Sequence, residues 1–192
     1  MHLTSCCFRP IACAFTVSVA AATLKAQSVR FSVGAGAIVP TSVYGTHDNW
    51  GMHVLGAAVV PSPVADLSFR LDSMYSATTH QYGELGHTKI AGGSASVLWR
   101  LRSASPNLHP YLLAGIGSYH ETETDIAPAC NSAYCASSFA QSAHAWSGGG
   151  GLELLQSGPA IGWFIEARYV TIQSGTPTNL FLMTLGLVFG TR

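Results

Sequence analysis

An alternating apolar segment near the end of the chain, residues 180–189 with the sequence LFLMTLGLVF, constrains the fold more than any other feature. Successive side chains of a β-strand point to opposite faces, so one face of this strand would carry only large apolar groups. An apolar strand with an open edge is a template for aggregation and therefore needs a partner on each side. We expect the first strand of the mature chain to be one of those partners, which would close the sheet into a barrel.

Seven further segments show strand-like patterns. The alternation of apolar and polar residues is clearest in residues 66–77, where Leu67, Phe69 and Leu71 alternate with Ser68, Arg70 and Asp72. A helix would mix these residues on its faces. The eight predicted strands are 29–39, 51–60, 66–77, 89–101, 111–119, 144–155, 162–172 and 180–189.

The connections between the predicted strands alternate in length. Those after the second, fourth and sixth strands are short, while the others are mostly longer and more polar, the longest being about 120–143. Short turns at one end and longer loops at the other are typical of transmembrane β-barrels, whose tilted strands need about ten residues to cross a bilayer. The pattern predicts an all-β fold, an eight-stranded antiparallel up-and-down transmembrane barrel.

The composition agrees with this fold and excludes other classes. Only 9% of the residues are charged and 48% are hydrophobic, the mean hydropathy is +0.29, and the formal net charge is zero. An ordinary soluble domain carries about a quarter charged residues. Without a basic patch, nucleic acid is not an expected partner. A secreted β-sandwich also alternates, but it would place charged residues on its solvent face, whereas here one face is almost wholly apolar.

The charged and the aromatic residues of the predicted strands each occupy a particular face, according to whether their positions are odd or even within the strand. The charges share the face opposite the large apolar residues, as a bilayer demands, because an arginine facing lipid at the midplane costs roughly 2–4 kcal/mol. We predict a mid-height lumen cluster of Arg70, Asp72, Glu166 and Arg168, with Arg30, Arg100 and Glu153 at the periplasmic end. The outward aromatic residues predict two interfacial girdles, formed by Phe31, Trp99 and Trp163 on the turn side and by Tyr75, Trp146 and Tyr169 on the loop side.

The first 27 residues are typical of an export signal. Arg9 supplies the positive charge, and an apolar run over 11–24 precedes small residues suited to cleavage. We therefore expect a signal peptide at 1–27, a barrel at 28–192 and a location in the bacterial outer membrane. Cys130 and Cys135 are the cysteines that remain after the signal, and in an exported chain the pair predicts a loop disulfide.

The mature chain resembles the small outer-membrane β-barrels of Gram-negative-type bacteria, the OmpA, OmpX and OmpW group in the broad sense. The resemblance rests on the signal, the strand number, the loop alternation, the closing strand and the segment PYLLAGIG at 110–117. It implies contact with outer-membrane lipid or lipopolysaccharide and insertion by the barrel-assembly machinery through the closing strand. In that group the chain usually ends on the aromatic residue, whereas here Phe189 is followed by Gly190, Thr191 and Arg192.

Three roles are compatible with such a barrel. A structural, adhesive or ligand-contacting role through the loops, with a lumen plugged by charged side chains, is the main hypothesis. A narrow channel for ions or for small or apolar compounds is the alternative. A lipid A deacylase is the third; the family of such barrels is similar around Arg168 and Tyr169, but Thr171 and Gln173 stand where its His and Ser are found, so neither base nor nucleophile is present and no catalysis is expected.

Histidines and acidic residues near the predicted loops have no specific ligand spacing. His47, His80, His87, His120 and His144, with Glu121, Glu123 and Asp125, are interpreted as solvated residues, and a cation site is the alternative interpretation. No metal and no cofactor are expected, and the oligomeric state is left open. The glycine run 148–151 lacks the Lys-Ser/Thr of a phosphate loop; we expect it to let the wall curve or to make room for a large lumen residue.

Overall fold

The computed structural model describes residues 29–42, 44–46, 48–80, 85–126, 136–155, 161–175 and 177–190. They form eight antiparallel strands, with one short 3₁₀ turn at Tyr44–Thr46. The strands are β1 (Arg30–Thr41), β2 (Gly51–Pro61), β3 (Leu67–Thr79), β4 (Leu85–Arg100), β5 (Leu108–Ile126), β6 (Ala136–Leu155), β7 (Ile161–Ile172) and β8 (Thr178–Phe189). No helix in this part of the chain is long and apolar enough to cross a bilayer. The predicted signal lies outside the described residues.

The sheet is closed, and each strand pairs with its neighbours in chain order. The first and last strands pair from Phe31 opposite Phe189 to Thr41 opposite Asn179. This pairing gives β8 a partner on its second side, so the predicted closure of the sheet is confirmed. The barrel has two rims. One rim carries the β2–β3, β4–β5 and β6–β7 turns, together with the start of β1 and the end of β8. We refer to it as the turn rim and to the opposite one as the loop rim.

The two faces of the wall differ as a membrane barrel requires. Large apolar side chains are exposed on the outer face of the described barrel, including Val33, Val54, Leu71, Ile116, Ile165 and Leu185. Residues of the opposite parity point into the barrel and are mostly buried, as the alternating burial of β3 and β7 shows. The outer face would be unfavourable in water and suits hydrocarbon.

Two strands extend well beyond their predicted limits. β5 continues to Ile126 and β6 begins at Ala136, so residues 120–126 and 136–143 are strand where a loop was predicted. The pairing runs unbroken from Leu108 opposite Leu154 to Ile126 opposite Ala136. Above the apolar band water contacts both faces, so a strand needs no apolar parity there, and for that reason its polar sequence resembles a connection.

We predict that the cost of an arginine on the outer wall depends on its height. Ile165 and Ile161 lie on the outer face of β7 and are 49% and 48% exposed, but Ile165 is near the strand centre and Ile161 is at its turn-rim end. Ile165→Arg should lower the free energy of unfolding in lipid vesicles by about 2–4 kcal/mol, and Ile161→Arg by about 0–1 kcal/mol, as depth dependence predicts. Denaturant titration monitored by gel mobility measures both. Equal losses would contradict the placement of the bilayer.

Candidate functional site: a charged cluster across the lumen

Four charged side chains meet across the middle of the lumen. Arg70 and Asp72 project from β3, and Glu166 and Arg168 project from β7, on the opposite wall of the eight-stranded ring. Arg70 Nη1 lies 2.5 Å from Glu166 Oε2, and Arg168 Nη2 lies 3.2 Å from Asp72 Oδ1. Within each strand, Arg70 Nε donates to Asp72 Oδ1 at 2.8 Å and Arg168 Nη2 to Glu166 Oε1 at 2.8 Å. The two guanidinium groups and two carboxylates form one neutral, buried network.

The order of charges along the two strands explains this pairing. Alternate strands of an up-and-down barrel run in the same direction, so β3 and β7 are parallel across the lumen. Toward the loop rim, β3 carries Arg then Asp, and β7 carries Glu then Arg. Each cation therefore faces an anion on the other wall. Spacing by two residues also keeps both charges of each strand on the inner face.

Two buried lumen residues were missed in the sequence, and one of them, Tyr111, bonds to the cluster. The hydroxyl of Tyr111 on β5 donates to Glu166 Oε2 at 2.7 Å. His53 on β2 is buried, and its Nε2 lies 2.8 Å from Thr184 Oγ1 on β8. Tyr111 could not be assigned to the inner or the outer face, because the residues on both faces of the segment 111–119 are apolar or small. His53 lies between the outward-facing Met52 and Val54, so the alternation along the strand could have placed it on the inner face.

Apolar layers lie on both sides of the charged cluster. Toward the loop rim, a buried group includes Ile38, Met74, Ile90, Val170 and Leu182. A second group extends from beside the cluster toward the turn rim and comprises Leu55, Ala57, Phe164 and Val188. A third, toward the turn rim on β4 and β5, comprises Leu98, Tyr111 and Leu113. Charges that lie between such layers must pair with each other, because an unpaired buried charge is very costly.

Small inward residues make room for the long ones. In the glycine run, Gly149 and Gly151 face inward, and a Cβ at Gly151 would come within 2.5 Å of the Tyr111 hydroxyl and 2.5 Å of the carbonyl oxygen of Ile165. A Cβ at the outward Gly148 would meet no atom closer than 3.9 Å. The run therefore accommodates a large lumen residue at one of its positions, as the sequence analysis expected.

The charged residues predicted at the periplasmic end occupy the turn rim but do not all meet. Arg30 Nη1 lies 2.8 Å from Glu153 Oε2, with a second contact of 3.4 Å between Nη2 and Oε1. Arg100 has an inward register position at the end of β4 and is half-buried, and its backbone N–H donates to the carbonyl of Asp66. Among the described residues, no acidic side chain forms an ion pair with Arg100. The structure thus brings two of the three together.

The predicted girdle residues all occupy outward positions. Phe31, Tyr75, Trp99, Trp146 and Trp163 are exposed. Tyr169 is half-buried because its ring packs beside Trp146, with 6.4 Å between ring centroids. Aromatic side chains of this kind are enriched where a bilayer meets water.

A second polar group lies at the loop rim. Asp48, in the β1–β2 connection, is buried; it accepts a hydrogen bond from Thr78 and lies 3.4 Å from His80 Nε2. The backbone N–H of Asn49 donates to the carbonyl of Thr79 at 2.8 Å. These contacts attach the β1–β2 connection to the end of β3. Sequence reasoning did not identify Asp48, because its partners come from another hairpin.

Other residues near the loops have diverse environments. Glu121 is buried and accepts hydrogen bonds from Thr178 and Gln141, each at 3.1 Å. His120 and His144 lie on strands and are exposed, and His87 is half-buried on β4. His80 is buried, which contradicts the prediction that it is solvated. Among the described residues, no three His, Cys, Asp or Glu side chains are arranged to hold a metal ion. Cys130, Cys135 and His47 lie outside the described residues, and the disulfide remains a prediction.

We predict that the two faces of the glycine run tolerate a methyl group differently. Gly151→Ala forces the Cβ against Tyr111 and the β7 backbone and should lower the free energy of unfolding by about 1–3 kcal/mol, the usual range for overpacking. Gly148→Ala, in the same run, should change it by less than about 0.5 kcal/mol. Denaturant titration of both variants in vesicles measures this. A neutral Gly151→Ala would contradict the tight seating of Tyr111.

Comparisons with known proteins identify the fold. Neither a protein-family model nor a curated protein matches the sequence. Among solved structures, Neisserial surface protein A aligns over 85% of this chain and 96% of its own with a TM-score of 0.62 and 17% identity. A major outer membrane protein from Thermus thermophilus aligns over 85% and 99% (TM-score 0.57, 13% identity), and Ail, the attachment invasion locus protein of Yersinia pestis, over 86% and 99% (TM-score 0.53, 13% identity). The chain therefore has the fold of the small eight-stranded outer-membrane β-barrels.

Proposed function

We propose that this protein is a bacterial outer-membrane barrel that is sealed to solutes and works through its extracellular surface, in a structural, adhesive or ligand-contacting role. The apolar outer wall and the aromatic residues near both rims support placement in a membrane. The solved structures with the same fold include two proteins named for the outer membrane or for attachment and invasion. Outer-membrane lipid or lipopolysaccharide along the wall, and the insertion machinery acting on β8, are the partners this role requires.

The layered filling of the barrel is the observation that supports a sealed lumen. An eight-stranded barrel is only just wide enough for side chains to fill its interior. Here the four-residue charged cluster spans the lumen from β3 to β7 with side chains at most 3% exposed, and apolar layers lie on either side of it. An ion crossing the lumen would have to break paired charges and then pass apolar constrictions, and both steps are unfavourable.

The loop rim supports a role at the extracellular surface. The β1–β2 connection is attached to β3 through Asp48 and Asn49, which fixes its position at the mouth. β4, β5 and β6 stay paired beyond the point where β7 ends, and the extensions of β5 and β6 carry polar residues on both faces. A sealed barrel that presents ordered polar structure outside the bilayer is suited to contact rather than to transport.

The outer-membrane location predicts heat-modifiable migration. A closed barrel resists SDS until it is heated, because its backbone hydrogen bonds are satisfied within the ring. The protein from outer-membrane fractions should migrate differently in mild SDS when boiled and when unboiled. A single unshifted species in the periplasmic fraction would contradict both the location and the membrane fold.

The sealed lumen predicts a difference in conductance between wild type and a cluster variant. The wild-type protein in planar bilayers should show no steady conductance. The double variant Glu166→Ala/Arg168→Ala removes one wall of the charged layer and should conduct, whereas Ser94→Ala/Ser96→Ala changes lumen residues of β4 that pair with Asp72 and Arg70 in register and should stay silent. Large, steady conductance of the wild type would contradict the proposal.

A further inference from the structure

One edge of the projecting hairpin is open. Strand β6 pairs with β5 over its whole length, but its pairing with β7 begins only at Ala145, opposite Ile172. The next contact on that side is the hydrogen bond from the N–H of Gln173 to the carbonyl of His144. In the described part of the chain, no strand pairs with the β7 side of residues 136–143.

The direction of the free backbone groups follows from these contacts. The carbonyl of His144 points toward β7, and the N–H of Leu155 donates to Asn107, on the β5 side. The two sides alternate along an antiparallel strand, and the β5–β6 register contains no bulge. The N–H and C=O groups that point away from β5 are therefore those of Ala136, Ser138, Ala140 and Ser142.

This edge lacks the devices that normally protect one. Its sequence, ASSFAQSA at 136–143, contains no charged residue, no proline and no glycine. Proteins usually block an exposed edge with charged residues or proline, with a bulge or with a covering segment. Ser138, Phe139 and Ala140 are exposed. Because no strand of the described residues occupies this edge, it can accept a further one.

The chemistry next to the edge selects the partner. Glu123 on β5 is exposed and stands directly opposite Phe139, on the same face of the sheet. Glu121, opposite Gln141, is buried and bonded to Gln141 and Thr178, so Glu123 is the carboxylate that a partner can reach. A strand added to β6 would lie about 5 Å from Phe139 and about 10 Å from Glu123, within reach of a long cationic side chain. A cation there would stack on the exposed Phe139 ring and approach the Glu123 carboxylate.

We propose that residues 136–143 of β6 bind an extended polypeptide segment with Lys or Arg at alternate positions, which adds a strand to the β4–β5–β6 sheet outside the bilayer. This inference rests on the proposed extracellular contact role and names its partner class. A second copy is the less favoured occupant, because the β6 edge itself, residues 136–143, carries no cation that could approach Glu123.

The test uses the refolded full chain in detergent micelles and a synthetic peptide, about nine residues long to span the edge, that alternates lysine with threonine and valine. Calorimetric titration measures affinity, with a peptide of glutamate in place of lysine as the chemical control. Ala140→Pro removes one free N–H without removing a bond to β5, and Ala140→Val is the matched control that keeps it. Glu123→Gln tests the charge.

We expect the lysine peptide to bind and the glutamate peptide not to bind. Ala140→Pro should weaken binding by about tenfold or more through lost edge hydrogen bonds, while Ala140→Val should change it by less than about twofold. Glu123→Gln should weaken binding and reduce its salt dependence. Peptide should also slow amide exchange at Ser138, Ala140 and Ser142.

Three results would overturn the proposal: no binding of the lysine peptide to the wild type, equal binding to Ala140→Pro, or dimerisation of the protein without peptide that Ala140→Pro abolishes. Unchanged heat-modifiable migration of each variant shows that the barrel itself is intact. Since the experiment requires only the folded chain, a failure here is separate from a failure of the outer-membrane location or of the sealed lumen, which fractionation and conductance test.

Discussion

The pairing of buried charges between β3 and β7 is the interaction on which the interior of this barrel depends. Closing eight strands leaves a narrow space that side chains must fill, and at mid-height four of these side chains are two arginines and two acidic residues. A charge removed from water without a partner costs several kcal/mol, so the two walls must match. They match because Arg70 meets Glu166 and Asp72 meets Arg168 at successive levels. A shift of β3 or of β7 by one residue would turn the two charges of that strand toward lipid and leave the other two unpaired, so the cluster also opposes errors of register.

Space for the cluster comes from what the other strands leave out. Positions that pair in register with the charged residues are small: Ser94 and Ser96 stand beside Asp72 and Arg70 on β4, and Gly149 and Gly151 beside Arg168 and Glu166 on β6. Long side chains on two opposite walls and small ones between them fill a round cavity without overpacking. Because Gly151 has no side chain, the Tyr111 ring can lie against it and its hydroxyl can reach Glu166.

The strands, their number and the identity of their inner faces could be predicted from the sequence, because lipid imposes a strict period of two on each membrane-crossing segment. The same rule led to the hypothesis of a salt-bridge cluster between these two strands, but it did not indicate which cation pairs with which anion. It gave no information where lipid is absent: β5 and β6 continue outside the bilayer, and their polar residues lack the alternation. Tyr111 and Asp48 were missed for another reason. Tyr111 lies in a segment with two apolar parities, and Asp48 is buried by Thr78 and His80, which a linear pattern does not associate with it.

The end of the lipid constraint also explains why an unprotected edge can occur at β6. Within the bilayer an open edge is not tolerated, since unsatisfied backbone groups have no water to bind, and closure of the ring removes it. Outside the bilayer, water satisfies the free N–H and C=O groups of residues 136–143 at little cost, so the edge is stable without a partner. Its remaining hazard is pairing with other chains, and in our proposal the exposed Glu123 beside the edge favours cationic segments. The hairpin therefore combines a general binding mode with a charge filter, and both arise from strand register rather than from a preformed pocket.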